Sequence, residues 1–497
     1  MTALLSLALV PPRYPRRGFD PWERYPEYPF PDGVLADEPN HAYAAVREAL
    51  RLLGLDGARF GTPAWNPLGG IVRRGARVVV KPNWVYHELP NEPHPEEILV
   101  THPAVLRAVL DYVYIACGPA GRVMLADAPV QGAKFDAILR ASRIDELCAR
   151  FERGLGFQID VVDLRAVIGE VSADGRVRQV PSPRPDPAGY RIVDLGTRSH
   201  LEDVSSHAAK FRCLDYDPRA LQENHAAGRH RYLISGSVLD ADAVINVPKL
   251  KTHGKSGVTA SLKNLVGING DKAFLPHFRT GSPRFGGDDY PHASALAWSR
   301  TAVRERLVRS ESELVWKTIR WLGLRALGLA SSLRKPAQVG GSNPYSIFSG
   351  HWHGNDTTWR MVLDLDEAIV FARPDGTWAD TPQRGYLSIV DGIVAGERNG
   401  PITPSRRDIG AVFATQHPVA GDYAAAWLMG FDPERIPLLA AARQRLGFGF
   451  PDRAPRELRV AMADGEHALA DLDINWRFRA PDGWLGHIER ALRERAA

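Results

Sequence analysis

The fold is decided by residues 77–126, which read RVVVKPNWVYHELPNEPHPEEILVTHPAVLRAVLDYVYIACGPAGRVMLA. The β-branched run Arg77–Val80 predicts a buried strand, Pro103–Ile115 predicts a helix, and Arg122–Ala126 predicts a second strand. Strands that alternate with helices are typical of a parallel sheet with right-handed crossovers.

The alternation continues on both sides of this unit. Further strands are predicted at Ala3–Val10, Ile159–Leu164, Ala243–Val247, Tyr386–Val390 and Gly410–Ala414, and further helices at His41–Leu53, Phe135–Glu152, Gly257–Val266 and Asp422–Met429. We therefore expect an α/β fold. Its sheet should be mostly parallel with helices on both faces, discontinuous along the chain, with a helical insertion and a C-terminal appendage.

The sequence divides into five predicted segments. Residues 1–70 hold the N-terminal strand and surface loops, 71–299 a first α/β lobe that carries the basic motifs, 300–345 a basic amphipathic helical insertion, 346–440 the second part of the α/β unit, and 441–497 the C-terminal appendage. Within the insertion, residues 300–335 contain nine Lys and Arg against three Asp and Glu. A helix docked through its apolar face is the preferred interpretation, and a lid or a peripheral contact with an anionic membrane or a partner protein is the alternative.

Composition narrows the class of protein. A net charge of +4 on 497 residues is far below that of a dedicated nucleic-acid binder, so no nucleic-acid partner is expected. Cys117, Cys148 and Cys213 are too widely spaced for a cluster motif, so no protein-held iron–sulfur cluster is expected, and a reducing compartment is indicated. Since no apolar stretch is long enough to span a bilayer and no export signal is recognised, we expect a cytoplasmic protein that is not transmembrane.

Polar side chains follow the predicted strands, at the edge where open parallel sheets bind ligands. Lys81 and Asn83 follow the first strand of the 77–126 unit, and Asp127 follows the second. Thr101 is placed to cap the intervening helix, which leaves His102 without a capping role. Each cluster also has a plain structural explanation: a lysine can extend to solvent, and an aspartate often forms a turn.

The most specific cluster follows the strand predicted at Ala243–Val247. It holds Lys249, Lys251, His253, Lys263 and Asn264 within sixteen residues, interleaved with apolar side chains. An unpaired buried ammonium is costly, so these cations are either exposed or paired with an anion. Convergent polar groups on an apolar wall favour an anion pocket over a solvated surface.

Two further groups lie in the C-terminal half. Glu397 and Asn399 follow a predicted strand end in a glycine-rich loop, where turn formation explains the glycines but not these two side chains. His351 and His353 have a spacing that would allow both to bind a metal from one strand face, although a structural or surface role is favoured and no third ligand is obvious. The cofactor and the metal ligands are therefore unassigned, with a divalent metal as one possibility.

The order of these motifs resembles a known family. The motifs are Val-Lys-Pro-Asn (80–83), Thr-His-Pro (101–103), Asp-Ala-Pro (127–129), Pro-Lys-Leu-Lys-Thr-His (248–253), Ser-Leu-Lys-Asn-Leu-Val-Gly (261–267) and Asp-Gly-Ile-Val-Ala-Gly-Glu-Arg-Asn-Gly-Pro (391–401). Over about residues 75–440 the chain is similar to the domain of unknown function 362 family. The resemblance implies an α/β fold and enzymic character. Many members of the family carry a ferredoxin-like iron–sulfur module, and this sequence shows no cysteine motif for one.

The leading functional hypothesis is a cytosolic enzyme of unassigned reaction that acts on a phosphorylated or carboxylated small molecule. His253, His102 and Asp127 are the candidate catalytic residues, because histidine titrates near neutral pH and a carboxylate can orient it. The candidate substrate-binding residues are Lys81, Asn83, Lys249, Lys251, Lys263, Asn264, Glu397 and Asn399. Two alternatives stay open: a redox enzyme that uses an external iron–sulfur or flavin partner, and a noncatalytic anion-binding accessory protein.

Overall fold

The computed structural model describes residues 4–171, 177–213, 216, 218–309, 348–445 and 456–490. Its strands are β1 Leu5–Leu9, β2 Arg77–Pro82, β3 Arg122–Asp127, β4 Ile159–Asp163, β5 Val167–Val171, β6 Val177–Pro181, β7 Tyr190–Asp194, β8 Phe211–Arg212, β9 His225–Ala226, β10 Arg229–Ser235, β11 Ala243–Val247, β12 Lys249–His253, β13 Gly257–Thr259, β14 Phe278–Arg279, β15 Gly385–Asn399, β16 Thr403–Thr415, β17 Arg459–Met462 and β18 Gly465–Ala468. Its helices are α1 His41–Leu52, α2 Pro95–Leu99, α3 Pro103–Cys117, α4 Phe135–Ala141, α5 Ile144–Leu155, α6 Pro218–Asn224, α7 Gly236–Leu239, α8 Ser261–Asn264, α9 Ala295–Arg309, α10 Thr358–Phe371, α11 Pro418–Met429 and α12 Pro437–Arg445. Over these ranges, no helix combines the length and the apolar character needed to cross a membrane.

The main sheet is mixed, with a parallel centre. Its strand order is β18-β17-β1-β16-β15-β11-β2-β3-β4, and β12 pairs with both β13 and β15. Strands β15, β11, β2, β3 and β4 run parallel to one another. Strand β16 is antiparallel to β15 and β1. The α/β fold with a mostly parallel central sheet is therefore confirmed.

Side-chain alternation along β2 builds a core on each face of the sheet. Val78 and Val80 pack in the core that contains α1 and α3, whereas Val79 packs in the core that contains α10 and α11. Successive strand residues point to opposite faces, so a continuous run of valines satisfies both cores at once. Helices consequently cover both faces of the sheet, as predicted.

Two predicted helices differ from the structure. The helix predicted at Phe135–Glu152 is two helices, α4 and α5, because Arg143 adopts a left-handed backbone conformation with φ of 51°. The helix predicted at Gly257–Val266 is strand β13 followed by the single turn α8. Strand β12 was missed, because its alternating lysines suggest a solvated loop although all five of its residues are buried.

The predicted insertion is only partly described. Residues 300–309 form the second part of helix α9, whereas the amphipathic helix expected over the rest of 300–335 falls outside the described residues. Strand β1 and the β17–β18 hairpin, from the first and last predicted segments, join the main sheet. The segment boundaries stay a prediction.

Candidate functional site

A cavity of about 180 Å³ opens at the carboxyl ends of the parallel strands. From β2 the chain adds β3 and β4 on one side, while β11 and β15 lie on the other, so the strand order reverses between β2 and β11. Such a switch point is where open α/β sheets place their ligands. The cavity, called here the cationic cavity, is lined by Asn83, Val85, Asp127, Ala128, Pro129, Val130, Gln131, Cys213, Tyr216, His253, Lys255, Thr259, Lys263, Asn264, Val266, Gly267, Lys272, His277, His351, Pro401 and Ile402.

A buried ion pair forms the base of this cavity. The Nζ atom of Lys81, at the end of β2, lies 2.8 Å from Oδ1 of Asp127, at the end of β3. Lys81 also donates to Oδ1 of Asn264 at 3.2 Å, and Asn264 donates to Oδ1 of Asn246 at 2.7 Å. Burial lowers the pKa of Lys81, while the charge of Asp127 opposes that shift. The ion pair and the two amides thus tie β2, β3, β11 and α8 together.

Backbone amides hold the Asp127 carboxylate as well. Its Oδ2 accepts from the amide of Trp84 at 2.7 Å, and its Oδ1 accepts from the amide of Ala128 at 2.9 Å. Among the described residues that line the cationic cavity, Asp127 is the only carboxylate. Lys81 pairs directly with Asp127, and the same carboxylate only partly offsets the lowered pKa values of Lys263 and Lys272.

Three further lysines line the cationic cavity. Burial lowers the pKa of Lys255 to about 8 and that of Lys272 to about 8. Burial together with the charges of Lys272 and Lys255 lowers the pKa of Lys263 to about 7. The Nζ of Lys255 is buried without a hydrogen-bond partner in the part of the chain that is described, and it lies 5.0 Å from the ring centre of Phe278. Lys272 donates to the Ala128 carbonyl at 3.0 Å.

The cavity histidines are held in defined hydrogen-bonding roles. The Nδ1 of His253 accepts from the amides of Lys255 and Ser256 at 3.1 and 3.3 Å, which leaves the proton of the neutral ring on Nε2. The Nδ1 of His277 lies 2.8 Å from the Leu275 carbonyl, so it donates and Nε2 is an acceptor. Burial lowers the pKa of both rings well below the ordinary value, with Lys263 adding to the shift for His253 and Lys255 for His277.

The two histidines of the predicted His-x-His pair diverge. His351 lines the cationic cavity, and its Nδ1 donates to the Phe348 carbonyl at 2.8 Å. His353 instead stacks on His487, with ring centres 3.5 Å apart. Over the described ranges, no group of three or more His, Cys, Asp or Glu side chains is arranged to hold a metal ion.

The predicted site residues do not all meet in one crevice. Asn83, Asp127, His253, Lys263 and Asn264 line the cationic cavity. Lys81 lies directly behind it, paired with Asp127. Their assignment as ligand-binding or catalytic residues stays a prediction.

Lys249 and Lys251 lie outside the cavity, contrary to the expected convergence. Lys249 places Nζ 3.0 Å from Oδ2 of Asp391 and 2.6 Å from the hydroxyl of Tyr14. Lys251 donates to the Leu99 carbonyl. Both lysines are fully buried, and their hydrogen-bond partners lie far away in the sequence. The residue pattern of β12 alone therefore could not show where these side chains lie.

His102 belongs to this second buried network. Its ring stacks on Tyr14 with ring centres 3.7 Å apart. Its Nδ1 accepts from the amide of Ala104 at 3.2 Å, so His102 rather than Thr101 caps α3. The hydroxyl of Thr101 instead accepts from the amide of Asn83 at 2.8 Å. His102 thus has a structural role that the sequence assigned to its neighbour.

Glu397 and Asn399 contact the C-terminal segment. Glu397 accepts from the amide of Arg479 at 2.9 Å, and Asn399 exchanges two hydrogen bonds of 3.0 Å with Asp482. Neither lines the cationic cavity, although Pro401 and Ile402 of the same hairpin do.

Three basic residues of the cavity, Lys255, Lys272 and His277, were missed from the sequence. Lys255 lies two residues beyond His253, so the basic motif would have included it if it had been extended by two residues. Lys272 and His277 follow in an irregular segment without hydrophobic periodicity, and no sequence signal places them beside β3.

The fold and the strand-end motifs define an α/β protein with a cationic crevice at its switch point. The family model described as Domain of unknown function (DUF362) matches residues 78–181 and 158–427. The chain belongs to this family, which confirms the resemblance found in its motifs.

Among the known proteins that are similar to the chain are a curated relative and a solved structure. One is a thylakoid-associated protein of Synechocystis sp., 40% identical over 234 residues, which are 46% of this chain and 46% of that protein. The chain thus spans about half the length of this curated relative. The other is the solved lactate racemase apoprotein from Thermoanaerobacterium thermosaccharolyticum, with 10% identity and a TM-score of 0.32 over 80% of this chain and 60% of that one.

Proposed function

We propose that this protein is a cytoplasmic enzyme that binds a small phosphorylated or carboxylated molecule in the cationic cavity. The observation that carries the proposal is the convergence of Lys255, Lys263 and Lys272 on a cavity whose one described carboxylate is already paired with Lys81. At about 180 Å³, the cavity is smaller than pockets for drug-sized ligands, which span roughly 300–1,000 Å³. A small ligand therefore suits it.

Electrostatics favour an anion as that ligand. Moving an ammonium out of water is costly unless an opposite charge compensates, and burial lowers the pKa of all three lysines. An anion held by Lys255 and Lys272 compensates the charge of these two lysines and raises their pKa values again. In the empty cavity the lysine ammonium groups lose hydration and repel one another, and an anion that binds relieves both costs.

The histidines favour an enzyme over a passive binder. His253 has an N–H at Nε2 and His277 has a lone pair at Nε2, and both residues line the cavity. Since burial beside lysines keeps both rings neutral, their donor and acceptor roles are fixed at neutral pH. Neutral imidazoles of opposite role are suited to moving a proton to and from a bound substrate.

Thermal denaturation in the presence of inorganic phosphate or citrate tests the proposal. A ligand at about 100 times its Kd stabilises a protein by about 2.7 kcal/mol, so the wild-type melting temperature should rise with either anion. Lys272→Met should abolish most of the rise, because it removes one of the three cavity cations.

Lys134→Met provides the matched control, since Lys134 is exposed and does not line the cavity. This variant should respond to phosphate and citrate like the wild type. Equal responses of the Lys272 and Lys134 variants, or no response of the wild type to any anion, would contradict the proposal. Anion binding without turnover of any candidate substrate would instead support the noncatalytic alternative.

A further inference from the structure

Lys263 lines the cationic cavity together with Lys255 and Lys272. The charges that lower its pKa belong to Lys272, Lys255 and Lys81, and Asp127 only partly opposes them. Lys263 makes no hydrogen bond or ion pair with a described residue. Its amine is therefore available to a ligand in a cavity that two other lysines also line.

The two neighbouring lysines are held differently. Lys272 is fixed by its bond to the Ala128 carbonyl, and Lys255 lies over the ring of Phe278. A carbonyl oxygen and an aromatic face both favour the charged ammonium. Lys263 has neither contact, so it is the one of these three cavity lysines that most readily exists as the neutral amine.

The backbone that carries Lys263 is fixed on both sides. Asp422 accepts from the amides of Ser261 and Leu262 at 2.7 and 2.9 Å, and Asn264 is held by Asn246. These bonds hold the single turn α8 in place against the sheet. A reactive group benefits from such positioning, because little reorganisation is then needed for attack.

We infer that Lys263 is a nucleophilic lysine that forms an imine with the carbonyl carbon of an oxo acid or a phosphorylated aldehyde. The inference rests on the proposed function, since Lys255 and Lys272 would hold the anionic group of that substrate. A lysine that is desolvated beside another cation is a recognised way to activate an amine at neutral pH. With its pKa lowered to about 7, Lys263 has an appreciable uncharged fraction at neutral pH.

The step balances without a further reactant. The lone pair of Lys263 Nζ forms a bond to the carbonyl carbon as the carbon–oxygen π bond breaks, and the oxygen takes one of the two protons of that nitrogen. The carbinolamine then loses its hydroxyl group and the remaining nitrogen proton as water, which leaves the carbon–nitrogen double bond. One amine and one carbonyl thus give one imine and one water, with no change of oxidation state.

Reductive trapping on the wild-type protein tests the inference. Glyoxylate and pyridoxal 5′-phosphate serve as probes, sodium cyanoborohydride reduces any imine to a stable secondary amine, and peptide mass spectrometry locates the adduct. We expect at least a tenfold preference for Lys263 over the exposed Lys134 at neutral pH, and loss of that preference when excess inorganic phosphate competes.

Lys263→Arg separates covalent chemistry from anion binding. Arginine keeps the positive charge but does not form the imine, so the variant should retain stabilisation by phosphate and lose the adduct. Lys272→Arg should retain the adduct. Because trapping is first measured on the wild type, the result does not depend on any variant folding.

The outcomes distinguish the two ideas. Stabilisation by phosphate with no adduct at Lys263, or with labelling spread evenly over exposed lysines, would overturn the imine inference and leave the proposed function standing. No stabilisation by any anion would overturn the proposed function itself, and an adduct at Lys255 or Lys272 in preference to Lys263 would overturn the assignment of the nucleophile.

Discussion

The ammonium of Lys81 lies 2.8 Å from the carboxylate of Asp127, although the two residues end different strands of the central sheet. Their side chains are 1% and 4% exposed, so water does not screen the pair. This ion pair engages the one described carboxylate of the cavity wall, which only partly offsets the lowered pKa values of Lys263 and Lys272. In the proposed function, an anionic ligand provides the remaining counter-charge for Lys255, Lys263 and Lys272.

Asp127→Asn should be strongly destabilising. It leaves Lys81 as a buried ammonium without a counter-charge, and breaking a buried pair in this way costs about 3–5 kcal/mol. Urea denaturation measures the loss. Asp136→Asn is the control, because its ion pair with Arg184 is solvent-exposed and such pairs are worth about 0–1 kcal/mol. If the two variants lost a similar amount of unfolding free energy, the buried Lys81–Asp127 pair would contribute no more to stability than an exposed pair.

Gly267→Ala should disturb the same pair. A Cβ atom at Gly267 would lie 1.9 Å from Oδ1 of Asp127 and 2.8 Å from Nζ of Lys81, so the ion pair would have to move. We expect a loss of about 1–3 kcal/mol in the free energy of unfolding, together with weaker stabilisation by phosphate.

Gly132→Ala is the matched control for that substitution. No heavy atom lies within 4 Å of a Cβ placed there, and its φ is not positive. Alanine should therefore be neutral or stabilising by about 0.4–1 kcal/mol, through the unfolded chain. A Gly267→Ala variant as stable as Gly132→Ala would contradict the close packing at the cavity base.

Removal of Lys263 should stabilise the empty protein in a pH-dependent way. The pKa of Lys263 is about 7 in the folded protein, below the ordinary lysine value of 10.5. The folded state thus binds fewer protons than the unfolded state between these pH values, so stability falls as the pH falls from about 10.5 to about 7. Lys263→Met should gain about 1–3 kcal/mol at pH 7, and little at pH 10. Denaturant unfolding at both pH values checks this, and a constant difference would refute the depressed pKa.

Asp366 should make the folding stability depend on pH with the opposite sign. Neither carboxylate oxygen has a hydrogen-bond partner among the described residues, and burial, aided by the charge of Asp422, raises its pKa well above 3.8. The folded state holds a proton that the unfolded state has lost above about pH 4, so stability falls as the pH rises. Asp366→Asn should therefore be more stable than the wild type by about 1–2 kcal/mol at pH 8, and similar to it at pH 4. Lower stability at both values would indicate an unrecognised partner for the carboxylate.

The buried parallel strands could be predicted because their residues are apolar on both faces. Ala243–Val247 was predicted at its observed bounds, and Arg77–Val80 and Arg122–Ala126 within two residues. Strand β12 could not be, because Lys249 and Lys251 obtain their partners from Asp391, Tyr14 and Leu99 through the tertiary fold. Hydrophobic periodicity carries no information about such partners.

Part of the cavity lining could also be predicted from the positions of residues relative to the strands. Asn83, Asp127 and Lys263 follow strands or lie in the basic motif, so the rule that ligands bind at strand ends located them. Lys272 and His277 reach the cavity from an irregular segment, where only three-dimensional packing determines position.

Isothermal titration with sulfate at pH 8 tests the central claim most directly, since sulfate itself does not change protonation there. If the anion binds beside Lys255, Lys263 and Lys272, with pKa values of about 8, 7 and 8 in the empty cavity, binding should take up about one to two protons. The measured heat should then differ between buffers of different ionisation enthalpy, and Lys272→Met should lose binding. No saturable heat, or saturable binding with the same heat in every buffer, would contradict the account.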